Sequence, residues 1–365
     1  MKILHTESSC GWGGQELRIL SEATSLLERH RDVEIVIAVD YKSQFLGRNP
    51  QIDRLRFVQC PLARKSLVGL IAMAMLIVKE APDFLATHSS TDSWLSALAL
   101  KIVRLKTPII RYRHIATPIR PTFLNRWLYR QATHVVTTSD QIKTIVTEAV
   151  GVRPSRVSAI PTGIDSASRF KPLKPGKGHI SFGGSTIKLG MVATLRSWKG
   201  HALVVEALAN LPNCELLIVG DGPQRTVLEK LAEDFGVDSR VKFFGHQHDV
   251  APIFKTIDIF IHPSLKYEGV SQSLLQAGAL EIPIIASSIG GTVEVVEHEI
   301  TGLLIDIGSV SQIVAAVKRL VRAPSLAAQL AQNARKRVKE KHSIERMVER
   351  IEAIYGLVER STHHD

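Results

Sequence analysis

At 365 residues the chain is too long for one ordinary hydrophobic core and is expected to fold as two domains of about 150–200 residues each. Hydrophobic residues at 45% and charged residues at 22% fit a soluble globular protein and exclude a disordered chain. The net charge of +11 is unevenly placed: residues 1–180 hold roughly 26 Lys/Arg against 14 Asp/Glu, and residues 181–365 roughly 20 against 21. A basic first half favours nucleic acid, an anionic membrane surface or an acidic acceptor, with a solvated surface as the plain alternative. Met1-Lys2-Ile3-Leu4-His5 runs directly into a strand pattern without the regions of a signal peptide, so a cytoplasmic location is expected. The longest apolar run, Ser66 to Val78, is about 13 residues, short of the ~20 that span a bilayer. Cys10, Cys60 and Cys214 are odd in number and far apart, which suggests neither a disulfide framework nor a metal cluster.

In chain order, short β-branched runs alternate with stretches of helical periodicity: Ile3-Leu4-His5, Glu34 to Val39, Phe84 to His88, Pro108 to Tyr112 and His134 to Thr137. That alternation predicts βα units on a parallel sheet. Pro161 to Gly190 breaks the rhythm with closely spaced Pro and Gly. A second alternation follows, with strands expected at Leu189 to Thr194, Leu216 to Val219, Val241 to Phe244, Ile257 to His262 and Pro283 to Ala286. Helices are expected at Gln224 to Phe235, Ser271 to Leu280 and along Ser325 to Arg360. The fold class is therefore α/β, with two doubly wound Rossmann-like domains facing across a cleft, the usual place for a ligand. The expected division is an N-terminal Rossmann-like domain (1–165), a linker (166–187), a second Rossmann-like domain (188–340), and a C-terminal helix (341–365) that can cross back to the first domain.

Gly11-Trp12-Gly13-Gly14 follows the first strand and opens a helix, so Gly13 and Gly14 can bring backbone N–H groups to a bound anion, or serve only a tight turn. The spacing is not that of a G-x-G-x-x-G dinucleotide site, which counts against a dehydrogenase. Arg196 and Lys199, three residues apart in the turn after a strand, can hold a diphosphate as a fork and a point charge, or stand as two solvated cations.

Beyond them come Leu217-Ile218-Val219-Gly220-Asp221-Gly222-Pro223, Val241-Lys242-Phe243-Phe244-Gly245, Ile261-His262-Pro263-Ser264, the run from Glu268 to Ser287, and Gly290-Gly291 followed by Glu294-Val295-Val296 and Thr301-Gly302-Leu303-Leu304. In order and spacing the chain resembles glycosyltransferase family 4, retaining enzymes of the GT-B architecture. The resemblance implies transfer of a hexose-type sugar from a UDP- or GDP-linked donor to an envelope polysaccharide or lipid-linked acceptor such as those of lipopolysaccharide synthesis. It implies no cofactor and no metal, with Arg196 and Lys199 in the metal's place on the diphosphate. Of the family's paired glutamates, Glu268 holds the first position, implying contact with donor-sugar hydroxyls or with charge at the reacting carbon. Gly269, Val270 and Ser271 continue the donor site. Gln276 holds the second position, a departure; an amide still offers an acceptor and two donors to the nucleotide ribose.

In the first half His114 matches the family's histidine beside the transferred sugar, although lone histidines are often structural. His88 and Asp92 are acceptor candidates, with Asp92 equally suited to cap a helix. Arg120 to Arg130 interleaves aromatics with Arg as an interfacial helix would, and Leu67 to Val78 reads as a second such helix or as a buried core helix. A peripheral position at the inner face of the plasma membrane follows as an expectation. Alternatives are a nucleotide-sugar epimerase of the same fold, a degenerate nucleotide-sugar-binding protein, and a phosphorylase with a pyridoxal-binding lysine. A nucleic-acid partner is not expected, because charge is not accompanied by an aromatic-basic recognition motif.

Overall fold

The computed structural model describes residues 1–362 apart from 49, 173–185 and 267. They form two compact units: residues 1–163 with 344 onward, and residues 164–343.

The first unit holds a parallel sheet of β1 (Lys2–Glu7), β2 (Glu34–Val39), β3 (Leu55–Gln59), β4 (Phe84–Thr87), β5 (Ile109–Arg113), β6 (His134–Thr137) and β7 (Val157–Ala159), in the order β3-β2-β1-β4-β5-β6-β7. Alternate residues serve opposite faces: Leu4, Val36 and Leu85 pack under helices Leu67–Glu80, Ser90–Val103, Phe123–Gln131 and Asp140–Val150. Ile3, Ile35 and Ile37 pack under helices Gly14–Arg29 and Ile344–Thr362, the latter supplying Met347, Val348, Ile351, Ile354 and Tyr355. Both faces of every central strand are therefore covered, as parallel sheets require.

The second unit holds β8 (Ile187–Val192), β9 (Cys214–Val219), β10 (Val241–Gly245), β11 (Ile259–His262), β12 (Ile284–Ser287) and β13 (Leu303–Ile305), all parallel, in the order β10-β9-β8-β11-β12-β13. Helices His201–Leu208, Arg225–Asp234 and Val310–Arg322 cover one face, and Gln272–Ala279 and Pro324–Lys341 the other.

Two expectations change. The supposed linker begins as core: Phe170 is 4% exposed and meets Phe254 edge-on, while the Ile164 N–H donates to the His342 carbonyl, so residues 164–170 are held within the second unit. Most of the remaining expected linker lies outside the described residues. The tail is two helices, because His342-Ser343 interrupts the helical run, Ser343 pairing with Ile164 in an isolated parallel bridge.

Candidate functional site

In a doubly wound sheet the chain leaves neighbouring strands in opposite directions at one point, and ligands bind beyond the strand C-terminal ends there. In the second unit that point lies between β8 and β11. A 3₁₀ turn after β8, Ser197–Lys199, carries Lys199; the loop after β11 carries Ser264 and Glu268. The Lys199 Nζ lies 2.5 Å from Glu268 Oε1, to which Ser264 Oγ also donates at 2.6 Å. His262 Nε2 lies 3.7 Å from the same oxygen. Glu268 is 5% exposed. Burial pushes its carboxyl upward, but the His262 and Lys199 groups outweigh this and hold it well below the usual carboxylate range, ionised.

Two glycines fix these loops. Gly200, at φ +74°, ends the Lys199 turn, and a Cβ there would lie 2.1 Å from the Pro263 carbonyl oxygen, so the two loops touch backbone to backbone. The Leu265 N–H donates to the Trp198 carbonyl at 2.7 Å beside that contact. Gly291 does the same on the other side: its Cβ would fall 2.3 Å from the Gly269 carbonyl carbon, and its N–H donates to the Glu268 carbonyl at 3.1 Å. The segment Glu268-Gly269-Val270 is thus clamped, and Ser271 precedes helix Gln272–Ala279, its hydroxyl 3.0 Å from that of Ser273. Gln276, on that helix, is 8% exposed. Arg196 is exposed, its guanidinium 5.8 Å from the Trp198 ring centroid. Arg196, Lys199 and Glu268 all lie in the second unit, but the sequence gave no sign that Lys199 and Glu268 pair. His201, 2% exposed with burial lowering its pKa to about 4, was missed, as were the roles of His262 and Ser264.

In the first unit the corresponding point lies between β1 and β4. His5 on β1, His88 after β4 and His114 after β5 form a stacked file: His5 Nδ1 and His88 Nε2 lie 2.9 Å apart, and His88 Nδ1 and His114 Nε2 3.1 Å apart. Tyr112 stacks on His88 with centroids 4.4 Å apart, and its hydroxyl donates to Glu22 at 2.5 Å. Burial pushes all three histidines down, His5 to about 3, so each is neutral with one N–H. His5 Nε2 is buried without a partner. A bare ring nitrogen there is easier to bury than an orphaned N–H, which assigns the N–H groups to Nδ1 throughout and leaves His114 Nδ1–H as an outward donor. The sequence named His88 and His114 but not His5, and nothing in their spacing showed that β1, β4 and β5 are neighbours.

Three readings of the first unit are corrected. Asp92 is 0% exposed and accepts from the His88 and Ser89 N–H groups and from Thr6 Oγ1, so it closes the N-terminus of helix Ser90–Val103 and does not face an acceptor. Burial, with Glu7 nearby, raises its carboxyl to about 8 against those hydrogen bonds. His88 is 3% exposed between His5 and His114, which leaves it little surface for an acceptor. The Gly13 N–H is taken by Glu16 Oε2 at 2.8 Å, which caps helix Gly14–Arg29, so that amide does not await an anion. Trp127 stacks on Trp94 and Leu128 and Tyr129 are buried, so helix Phe123–Gln131 turns most of its aromatic face inward. Among the described residues, no group of three or more His, Cys, Asp or Glu side chains is placed to hold a metal ion.

These two sheets, each with polar side chains gathered at its point of reversal, define an α/β protein of the GT-B class. Residues 12–168 match the model of the Glycosyltransferase Family 4 domain and residues 180–337 that of Glycosyl transferases group 1. The chain belongs to the family 4-like glycosyltransferases. It is 34% identical over 134 residues to the lipopolysaccharide core biosynthesis glycosyltransferase LpsE of Rhizobium meliloti, covering 37% of this chain and only 39% of that relative. It is 25% identical over 311 residues to the UDP-Gal:alpha-D-GlcNAc-diphosphoundecaprenol alpha-1,3-galactosyltransferase of Escherichia coli, covering 80% and 79%. The crystal structure of Anabaena HepE in complex with UDP and glucose superposes with a TM-score of 0.82 at 21% identity, covering 98% of this chain and 99% of that one.

Proposed function

We propose that the protein is a retaining, metal-independent hexosyltransferase that takes its sugar from a UDP- or GDP-linked donor and delivers it to an envelope polysaccharide or lipid-linked acceptor. The observation that carries this reading is the Lys199–Glu268 pair at the reversal point of the second sheet. An ionised, buried carboxylate can accept hydroxyl hydrogen bonds from the donor sugar and favour positive charge developing at its anomeric carbon. The ammonium beside it, with the exposed Arg196 guanidinium, neutralises charge growing on the departing diphosphate. In the step proposed, the glycosidic C–O bond to the diphosphate breaks and the acceptor oxygen bonds to the same face of the carbon. The acceptor proton passes to the leaving phosphate oxygen, so no protein nucleophile is needed. Gln276 is assigned to the ribose, and His114 Nδ1–H to a sugar hydroxyl. The names of the relatives in cell-envelope synthesis support the acceptor class.

The test is transfer from UDP- and GDP-hexoses in excess chelator, with the anomeric configuration of the product read by NMR. Retained configuration with full activity is expected. Inversion, or activity restored only by Mg²⁺ or Mn²⁺, would refute the mechanism.

We further propose that the first unit docks on anionic membrane, by a face different in emphasis from the one the sequence suggested. Helix Leu67–Glu80 turns Gly69, Met73 and Ile77 inward and leaves Leu67, Val68, Ile71, Met75 and Val78 between 53% and 72% exposed. Ile102 and Leu105 extend this apolar face, and Arg64, Lys65, Lys79, Lys101, Arg104 and Lys106 are exposed around it. Phe123 and Leu124 are exposed on the neighbouring helix, with Arg120, Arg126 and Arg130. Apolar insertion ringed by cations is the composition of an interfacial element. Among the described residues, no helix is long and apolar enough to cross a membrane.

A further inference from the structure

We propose that a polar cavity in the first unit, at the end of β5, binds a phosphoryl group of the acceptor, a phosphate or a diphosphate. The proposal rests on the glycosyltransferase reading and adds the acceptor's chemical class to it. The cavity has a volume of about 370 Å³ and is lined by Arg111, Arg113, Arg120, His114, Ser89 and Ser90 among others.

Arg111 is the decisive group. It is 6% exposed, and its Nε and Nη1 are buried without any hydrogen-bond partner. Its guanidinium lies 4.2 Å from the Tyr129 ring centroid, a contact that steadies the charge through the ring face and uses none of its N–H donors. A buried cation with unused donors is costly unless an anion completes it. Arg113, next on the same face of the strand, donates to Thr117 through Nη2 while its Nε is also buried without a partner. Arg120 is exposed in the lining.

The cavity carries no carboxylate of its own to satisfy them. The buried carboxylates of adjoining loops are already committed, Asp92 to the His88 and Ser89 N–H groups and Thr6, and Glu7 to the Ser9 N–H, Ser89 and Gln15. Ser89 and Ser90, at the start of helix Ser90–Val103, line the same space, but that helix end is already closed by Asp92 and is not counted as an anion site. One carboxylate would be matched by one guanidinium fork. Three arginines fit a group with several oxygens and more than one negative charge, which is a phosphoryl group.

The test measures calorimetric binding of farnesyl diphosphate and of inorganic pyrophosphate to protein already saturated with UDP or GDP, so that the donor site is filled. Arg111→Gln and Arg113→Gln are expected to weaken both probes at least ten-fold while leaving nucleotide affinity unchanged. Arg111→Lys should restore part of the loss, and Arg120→Gln, an exposed site that cannot disturb folding, should weaken both probes several-fold. Tighter binding of the prenyl probe identifies a lipid-linked source; equal binding identifies a soluble phosphorylated acceptor. Unchanged probe binding in the Arg113 and Arg120 variants would overturn the proposal, as would a parallel loss of nucleotide affinity, which would assign the arginines to the donor. Wild-type protein that binds the probes but no nucleotide would keep this subsite and remove the glycosyltransferase reading.

Discussion

Lys199 and Glu268 stand as an ion pair 2.5 Å apart on loops from two different strands, each loop locked by a glycine that admits no side chain. Replacing Glu268 by Gln is expected to cut transfer strongly while nucleotide-diphosphate affinity stays nearly unchanged, because the carboxylate is proposed to meet the sugar and not the nucleotide. The same variant should lose about 1–3 kcal/mol of stability, since Lys199 and Ser264 lose a charged acceptor in a site only 5% exposed. Glu268's depressed folded pKa makes this contribution present above its ordinary 4.5 and lost as pH falls further. Denaturant titrations from pH 5 to pH 3 should therefore show the gap between wild type and Glu268→Gln closing toward acid. A gap that widens would contradict the assignment.

Arg196→Ala and Lys199→Ala are each expected to lower turnover by about 10², some 2.7 kcal/mol of transition-state stabilisation, since each cation is proposed to meet charge that grows on the leaving group. Single-turnover rates at saturating donor isolate this effect from binding. Full activity in either variant would end the diphosphate assignment.

Gln276→Ala should weaken nucleotide-diphosphate binding by about 1–2 kcal/mol through lost ribose hydrogen bonds, measured by calorimetry with the diphosphate alone. Unchanged affinity would mean that this amide has left the role its position suggests.

The histidine file gives a pH signature. Burial depresses His5 to about 3, so the unfolded chain binds a proton below its ordinary 6.5 that the folded chain refuses. Stability from this group is complete above pH 6.5 and falls by up to about 1.4 kcal/mol per pH unit below it. His5→Gln lacks that titration, so wild type and variant should converge as pH drops from 7 to 5, a comparison that cancels the opposing raised carboxyls Glu7, Glu22 and Asp92. Nitrogen NMR of the wild type should show His114 protonated at Nδ1. Parallel stability curves, or an Nε2–H tautomer at His114, would dissolve the proposed order.

Vesicle sedimentation should show binding to phosphatidylglycerol, little to neutral lipid, and release as salt rises to about 0.5 M. Ile71→Asp with Met75→Asp should abolish binding without altering nucleotide affinity. Equal binding to neutral vesicles, or none to either, would favour a soluble acceptor.

The central strands were legible because they are apolar on both faces, as at Glu34–Val39 and His134–Thr137. β3 and β7 were not: they are edge strands, and β3 carries Arg56 and Gln59 exposed while β7 is three residues long. Helix Leu67–Glu80 looked either buried or interfacial because it is apolar all round, and only its packing against helix Ser90–Val103 separates the two faces. Arg196, Lys199 and Glu268 stood in local motifs and could be named from them, although their pairing could not. Arg111 was read only as part of a strand end, because its isolation depends on Tyr129 reaching it from a helix further along the chain, which spacing does not encode.

Helix Ile344–Thr362 closes the core of the first unit with Met347, Val348, Ile351, Ile354 and Tyr355, whereas residues 164–343 contain everything the second unit needs. On the ribosome the order of completion is therefore the reverse of the order of synthesis: the sheet begun at Lys2 waits, with one face uncovered, while the later unit emerges and can fold whole. A premature stop near residue 343 would spare the second unit and leave the first with bare hydrophobic surface, a substrate for chaperones and proteases.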